Sequence, residues 1–148
     1  MSPKIDINPC KVAFDLHRTL VLAPETNQIL LRPGTTLLLE SLLELGYTLS
    51  IYTHATTQGL LDILNSLPGL EDYFDEIYRE EDEDKRRSFK DPRIIGAKFL
   101  VDDVEPITDY VTALGLVGIL VPAYDDPSDT SEQWVLDVLE KIKQHSRD

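Results

Sequence analysis

The sequence predicts an α/β protein whose central five-stranded sheet is mostly parallel and carries helices on both faces. Short apolar runs alternate with Leu-rich helical patterns along the 148 residues. The connections between the runs are long enough for the right-handed crossovers that parallel strands require. A chain of this length typically forms one domain, so we expect a single unit over 1–148 with its core at about 11–145.

The five apolar runs are typical of buried strands. They cover residues 11–14, 47–52, 76–79, 98–101 and 116–121. Apolar residues at three- and four-residue spacing predict helices over 35–45, 56–67, 105–114 and 131–144. Gly46 and Gly115 stand where a glycine commonly ends a helix, and residues 129–131 offer an N-cap for the last one. The acidic then basic stretch 80–87 indicates a solvated loop.

Composition and charge exclude several classes of function. Asp and Glu number 27 against 14 Lys and Arg, a formal net charge of −13 that repels nucleic acid and anionic membranes. The single cysteine, Cys10, permits neither an intramolecular disulfide nor a cysteine-based zinc site. We find no signal peptide and no apolar run of membrane-spanning length, so we expect a cytoplasmic protein, either a monomer or a homodimer.

Polar side chains directly follow three of the predicted strands. Asp15, Thr53 and the pair Asp102-Asp103 end the first, second and fourth runs. Because the carboxyl ends of parallel strands meet at one edge of the sheet, these side chains are expected to converge. Three carboxylates there would repel one another unless a divalent cation neutralised them, and oxygen ligands suit Mg²⁺. The alternative is that these residues only mark strand ends and turns, where Asp and Thr are common.

Four motifs resemble those of the haloacid dehalogenase superfamily, whose first motif is usually Asp-x-Asp-x-Thr. They are Asp15-Leu16-His17-Arg18-Thr19, the segment from Arg32-Pro33-Gly34 to Leu49-Ser50-Ile51-Tyr52-Thr53-His54, Lys90-Asp91-Pro92 and Val101-Asp102-Asp103. Their order is similar to that of the small phosphatases acting on the RNA polymerase II tail, and Asp125-Asp126-Pro127-Ser128-Asp129-Thr130 is similar to a segment before the last helix of that branch. The resemblance implies a Rossmann-like fold over nearly the whole chain.

The resemblance also implies a magnesium-dependent phosphatase that acts on a phosphorylated small molecule or a phosphoprotein. Asp15 would attack phosphorus and become a phospho-aspartate. Asp15, the backbone carbonyl of His17 and Asp102 would hold Mg²⁺, with Asp103 either a ligand, a partner through water, or a partner of the Lys90 ammonium. Thr53 and backbone amides near His54 would bind a phosphoryl oxygen, and Lys90 would neutralise the nucleophile and the phosphate.

Position 17 departs from the usual motif, because His17 stands where the family has an Asp that protonates the leaving oxygen and later activates water. An imidazole can perform both proton transfers. Three outcomes remain open: His17 replaces the Asp, it slows hydrolysis of the phospho-enzyme, or the chain binds without turnover. If it replaces the Asp, aryl phosphates should be better substrates than alkyl phosphates, since their leaving groups need less protonation.

Other polar residues near the motifs are weaker candidates. Arg18, Thr19 and His54 are candidate substrate-binding residues; His54 alternatively caps the next helix or faces solvent. Lys98 is a rival for the role of Lys90, but it begins its strand and so belongs to the opposite edge. Surface charge is the simpler interpretation of Lys85-Arg86-Arg87, and packing that of Tyr47, Tyr52 and Trp134.

The spacing of the motifs leaves no room for a cap domain. Asp15 and Thr53 are 53 − 15 = 38 positions apart, and the segment between Thr53 and Lys90 is filled by a helix, a strand and the charged loop. We therefore expect a site open to solvent.

Two alternatives compete with the phosphatase hypothesis. One is a catalytically impaired relative that binds a phospho-ligand or a protein partner. The other is a receiver-like phospho-acceptor domain, which the motif order disfavours because the acidic pair follows the fourth strand and not the first.

Overall fold

The structure is a computed structural model that describes residues 6–23, 28–80 and 89–146. Its strands, in chain order, are β1 (Asn8–Phe14), β2 (Val21–Leu22), β3 (Leu30–Leu31), β4 (Thr48–Thr53), β5 (Glu76–Arg79), β6 (Ala97–Asp102) and β7 (Val117–Leu120). The helices are α1 (Thr35–Glu44), α2 (Thr57–Ser66), α3 (Glu105–Ala113) and α4 (Gln133–His145), with short 3-10 helices at Leu70–Tyr73 and Pro92–Ile95.

Five strands form one sheet in the order β5-β4-β1-β6-β7, and every pairing in it is parallel. The predicted α/β class with a central five-stranded sheet is therefore confirmed. β1 lies in the centre, with Phe14 in register with Ile51 of β4 and Val101 of β6. The residue after Phe14 consequently leaves the sheet between the ends of its two neighbours.

Helices cover both faces of the sheet, as predicted. On one face, α1, α2 and α4 pack their apolar stripes against Phe14, Ile51 and Val101. On the other face, α3 and the second 3-10 helix pack on Ala13 and Leu100. The side chains alternate between the two faces because successive residues of a strand point in opposite directions. This packing on both faces of the sheet fixes the position of the sheet edge that carries the polar residues.

The predicted elements are all present, with ends that differ from the predicted ones by at most three residues. The pattern missed the antiparallel pair β2–β3, since two-residue strands are too short to show periodicity. α4 begins after Glu132, whose side chain makes no cap; from the expected 129–131 segment, Ser131 Oγ accepts from the Gln133 amide at 3.4 Å. Gly46 and Gly115 have φ of +93° and +85° and end α1 and α3 as predicted.

The two segments considered above for a cap domain, between Asp15 and Thr53 and between Thr53 and Lys90, are short. Over the described residues, the first contains β2 and β3, and the second contains α2, a 3-10 helix and β5. Most of the charged loop expected at 80–87, including Lys85-Arg86-Arg87, lies outside the described residues. In the part of the chain that the structure describes, no helix combines the length and apolar character needed to cross a bilayer.

Candidate active site

The site is built around Asp15, which follows β1 at the carboxyl edge of the sheet. Its amide donates to the Val101 carbonyl at 2.9 Å, so the β1–β6 ladder continues one residue past the strand. The residue is only 8% exposed. Strand pairing thus holds this carboxylate in a fixed, largely desolvated position.

Lys90 reaches this carboxylate from the segment before the second 3-10 helix. Its Nζ donates to Asp15 Oδ1 at 2.9 Å and to Asp102 Oδ2 at 2.8 Å, and the side chain is 2% exposed. From the sequence, Asp103 is a candidate partner of the Lys90 ammonium. The structure shows Asp102 in that place, beside Asp15. Lys90 links the ends of β1 and β6, as a charge-neutralising residue must.

Thr19 connects Asp15 to the second carboxylate of the acidic pair, Asp103. Its buried hydroxyl lies 2.9 Å from Asp15 Oδ2 and 3.1 Å from Asp103 Oδ1. A hydroxyl has one proton to donate, so it serves these oxygens one at a time. Thr19 is thus a structural part of the carboxylate cluster, where the sequence suggested a substrate contact.

The pKa values of the carboxyl groups of Asp15, Asp102 and Asp103 are shifted in different directions. Burial raises the pKa of Asp15, but the Lys90 ammonium and hydrogen bonds outweigh this and hold it below its usual range. Burial, only partly offset by Lys90, raises the pKa of Asp102 to about 6. Burial and the neighbouring Asp15 raise the pKa of Asp103 to about 7. Asp15 is thus the carboxyl group of the three that is favoured to stay ionised.

The ammonium of Lys90 stays charged in this environment. Burial lowers its pKa, yet the carboxylates of Asp15 and Asp102 raise it above its ordinary value overall. The cation also lies 5.7 Å from the centre of the Tyr52 ring. Lys90 is therefore a permanent positive charge beside Asp15.

The acidic cluster fits a divalent cation. Ligand oxygens of Asp15, Asp102 and Asp103 lie within 4.8 Å of one another, and the Lys90 ammonium pairs with the first two of these carboxylates. Burial, together with the charge of Asp15, raises the pKa of Asp102 and of Asp103, and a bound cation would favour their ionised forms. An all-oxygen donor set of this kind suits Mg²⁺.

The loop that follows Asp15 is held by its own backbone. The Leu20 and Val21 amides donate to the Leu16 carbonyl, at 3.0 and 3.1 Å, and the Arg18 amide donates to the Val21 carbonyl at 2.7 Å. His17 is half-buried and pairs with Val21 in an isolated bridge. The loop thus keeps His17 at the same sheet edge as Asp15, while its role in proton transfer stays a prediction.

Arg32 supports this loop from beneath, a role that the sequence pattern did not indicate. Its guanidinium is buried, donates to the Thr19 carbonyl at 3.2 Å and lies 4.4 Å from the centre of the Trp134 ring. Trp134 is buried, as predicted, and its Nε1 donates to the Pro33 carbonyl at 2.8 Å. α4 is thereby connected to the loop that carries the site.

Thr53 ends β4 beside β1, but its hydroxyl has a local partner. Its Oγ1 accepts from the Ala55 amide at 3.0 Å, and the side chain is buried. That amide is one of those expected to bind a phosphoryl oxygen, and it is used within the loop. Thr56 Oγ1 caps α2 by accepting from the Gly59 amide at 3.0 Å.

His54 neither caps α2 nor points into solvent. Its Nε2 lies 3.3 Å from Glu80 Oε1, and its side chain is 8% exposed. The Tyr52 hydroxyl donates to the same Glu80 oxygen at 2.9 Å and accepts from the Asp91 amide at 3.1 Å. Tyr52 thus attaches the residue after Lys90 to the sheet, a function that its aromatic character alone did not reveal.

The rival lysine lies elsewhere. Lys98 is the second residue of β6, at the opposite edge of the sheet, and donates to the His145 carbonyl at the end of α4. The segment at 125–129 lies near the site loop: the Tyr124 amide donates to the Arg18 carbonyl at 2.6 Å, and Arg18 pairs with Asp125.

The sequence matches no protein-family model and no curated protein. Solved structures do match its architecture. An uncharacterised protein from Listeria monocytogenes serotype 4b is 18% identical with a TM-score of 0.65, over 93% of this chain and 99% of that one. A HAD-superfamily hydrolase from Ehrlichia chaffeensis is 15% identical with a TM-score of 0.59, over 94% and 98% of the two chains. The chain has the haloacid dehalogenase fold.

A haloacid dehalogenase-like hydrolase from Xanthomonas campestris is also similar, at 18% identity and a TM-score of 0.53, over 83% of this chain and 60% of that one. In the haloacid dehalogenase fold described here, the motif residues predicted from the sequence come together at one edge. Asp15, Thr19, Lys90, Asp102 and Asp103 form one connected cluster.

Proposed function

We propose that the protein is a magnesium-dependent phosphomonoester hydrolase that acts through a phospho-aspartate on Asp15. The observation that carries this proposal is the environment of Asp15: a buried carboxylate held ionised by Lys90 at 2.9 Å, with Asp102 and Asp103 beside it. A buried nucleophile, a fixed cation and an acidic metal site are the parts that phosphoryl transfer needs. The haloacid dehalogenase fold supports the same reaction class.

In the first step, Asp15 would attack phosphorus as the bond to the leaving oxygen breaks, giving a phospho-aspartate and an alcohol. In the second step, a water oxygen would attack phosphorus, the bond to Asp15 would break, and inorganic phosphate would leave. Lys90 would offset negative charge on Asp15 and on the phosphoryl group in both steps. Asp15, Asp102, Asp103 and the His17 carbonyl would hold Mg²⁺, which supplies Lewis-acid stabilisation of the phosphoryl oxygens.

His17 would donate a proton to the leaving oxygen and accept one from the attacking water. Its place in the loop after Asp15 supports this role. Thr53, at the end of the neighbouring strand, would contact a phosphoryl oxygen, and the substrate would be a phosphorylated small molecule or a phosphoprotein. The motif order favours the branch of small phosphatases noted above.

Hydrolysis of p-nitrophenyl phosphate tests the proposal, measured with and without Mg²⁺ over about pH 5–8, a range that brackets the ordinary histidine pKa. Turnover should require Mg²⁺, and Asp15→Asn should lower kcat by at least about 10³-fold because it removes the nucleophile. Asp109→Asn, an exposed carboxylate on α3, is the matched control and should retain activity. Full activity of Asp15→Asn would contradict the proposal.

A second function, binding of a phospho-ligand without turnover, is favoured by the histidine at position 17. In that case the wild-type chain would bind inorganic phosphate in the presence of Mg²⁺ but release no product. His17→Asp would then gain activity. These two results together distinguish the binding function from the hydrolase.

A further inference from the structure

Arg18 has an unusual backbone conformation for its residue type. Among the described residues it is the one non-glycine residue with positive φ, +65°. An L side chain disfavours this left-handed region because its Cβ approaches a carbonyl oxygen, whereas glycine enters it freely. The chain therefore carries a long side chain at a position whose backbone favours glycine.

The fold does not need that side chain. The loop is held through the Arg18 amide, which donates to the Val21 carbonyl at 2.7 Å, and through the Arg18 carbonyl, which accepts from the Tyr124 amide at 2.6 Å. A glycine would make both bonds equally well. The presence of an arginine at this position thus calls for an explanation outside the backbone.

The ion pair of the Arg18 side chain does not explain why an arginine stands at this position. The Arg18 guanidinium lies 3.1 Å from Asp125 Oδ2, but the two side chains are 55% and 59% exposed. Ion pairs in such exposed positions contribute little to stability, because water and salt screen them. The Asp125 carboxylate therefore holds the Arg18 guanidinium only weakly. Another anion can take the place of this carboxylate.

Arg18 also lies close to the reacting group. Its neighbour Thr19 donates to Asp15 Oδ2 at 2.9 Å. Adjacent Cα atoms are about 3.8 Å apart, so the Arg18 backbone lies within about 10 Å of the Asp15 carboxylate. That is a distance that one small substrate, or a short segment of a larger one, can span.

We propose that Arg18 binds a second oxyanion of the substrate, a carboxylate or phosphate beyond the phosphoryl group that reacts, and that Asp125 occupies this place in its absence. The inference rests on the proposed function and names its substrate class: phosphomonoesters with a further anionic group. A guanidinium binds such groups through two parallel hydrogen bonds. In a chain with net charge −13, Arg18 gives an anionic substrate a local attraction at the mouth of the site.

Non-hydrolysable ligands test this inference independently of turnover. We would measure dissociation constants by calorimetry, with Mg²⁺ present, for the meta and para isomers of carboxybenzylphosphonate and of carbamoylbenzylphosphonate, in which an uncharged, isosteric carbamoyl group replaces the carboxylate. For at least one of the two isomers, the wild type should bind carboxybenzylphosphonate about tenfold more tightly than carbamoylbenzylphosphonate. Arg18→Gly, which suits the left-handed backbone, should reduce this ratio to below about twofold, and Arg18→Lys should retain part of it.

Asp125→Asn should increase the ratio, since it removes the competing carboxylate. The control is Lys143→Gln, which removes an exposed cation near the end of α4, at the opposite edge of the sheet, and should leave the ratio unchanged. An unchanged ratio in Arg18→Gly, equal binding of the two forms by the wild type, or no binding of either would overturn the inference. If the ratio depends on Arg18 but p-nitrophenyl phosphate is not hydrolysed, the proposed hydrolase fails while the oxyanion site stands.

Discussion

His17 lies two residues beyond Asp15, and we proposed it above as the proton donor and acceptor of the reaction. If its imidazole limits the rate, restoring a carboxyl should matter most where the leaving group needs its proton most. We predict that His17→Asp raises kcat for an alkyl phosphate by about 10²-fold and for p-nitrophenyl phosphate by much less. Steady-state kinetics on both substrates provide the measurement.

The control for this variant is His145→Asp, at the end of α4 on the opposite edge, which should change neither rate. An alkyl phosphate turnover that is the same in His17→Asp and wild type would show that position 17 does not limit the reaction.

Tyr52 is a second residue whose function depends on one atom. Its hydroxyl donates to Glu80 at 2.9 Å and accepts from the buried amide of Asp91 at 3.1 Å. Tyr52→Phe leaves that amide without its partner, so we expect the free energy of unfolding to fall by about 1–3 kcal/mol, measured by urea denaturation. It should also lower kcat, because Asp91 follows Lys90.

Tyr73→Phe is the matched control for Tyr52→Phe. Its hydroxyl bonds to Glu40 at 2.9 Å on the surface, where water replaces the lost partner. The change in its unfolding free energy should stay below about 0.5 kcal/mol. Equal effects of the two variants would refute the role given to the Tyr52 hydroxyl.

At the scale of elements, the contact between α3 and β7 depends on the absence of a side chain. A Cβ built on Gly118 would lie 2.3 Å from the Thr108 carbonyl oxygen, so the helix backbone rests directly on the strand. Gly118→Ala should force the two elements apart and lower the free energy of unfolding by about 2 kcal/mol or more.

Leu120→Thr in the same strand serves as the comparison. Leu120 is 44% exposed, and a β-branched residue suits a strand, so thermal and urea denaturation should show little change. A Gly118→Ala protein as stable as this one would mean that α3 can move away at little cost.

At the scale of the whole molecule, the acidic cluster should make stability depend on pH and Mg²⁺ together. The pKa values of Asp102 and Asp103 are raised to about 6 and about 7, from ordinary values of 3.8. Between about pH 4 and 7 the folded state therefore binds more protons than the unfolded chain, so metal-free stability falls as pH rises. The lowered pKa of Asp15 acts in the opposite direction, but below this window.

If the cluster holds Mg²⁺ as proposed, the ion would bind the ionised carboxylates, so its stabilising effect should grow with pH over the same interval. Melting temperatures with and without Mg²⁺ from pH 5 to 8 are the measurement, over a range that brackets these pKa values. Asp103→Asn should flatten the metal-free dependence and reduce the Mg²⁺ effect, while Asp109→Asn should not. If Mg²⁺ raised the melting temperature by the same amount at pH 5 and pH 8, the acidic cluster would not be the site at which it binds.

The sequence by itself determined the order in which the strands of the main sheet and the helices follow one another along the chain, and the sheet edge that carries the site. Apolar runs and helical spacing depend on neighbours in the chain, so they can be read without the fold. Asp15, Thr53 and Asp102 were found because each follows an apolar run, and a parallel sheet must bring such residues to one edge.

Only the tertiary structure decided which partners these residues have. Lys90 bonds to Asp15 and Asp102, Arg32 bonds to the Thr19 carbonyl, and the Tyr52 hydroxyl bonds to the Asp91 amide. These pairs are separated by 12 to 75 residues, so no local pattern encodes them. They arise because packing on both faces of the sheet brings distant segments within hydrogen-bond distance, where buried polar groups must find partners or lose stability.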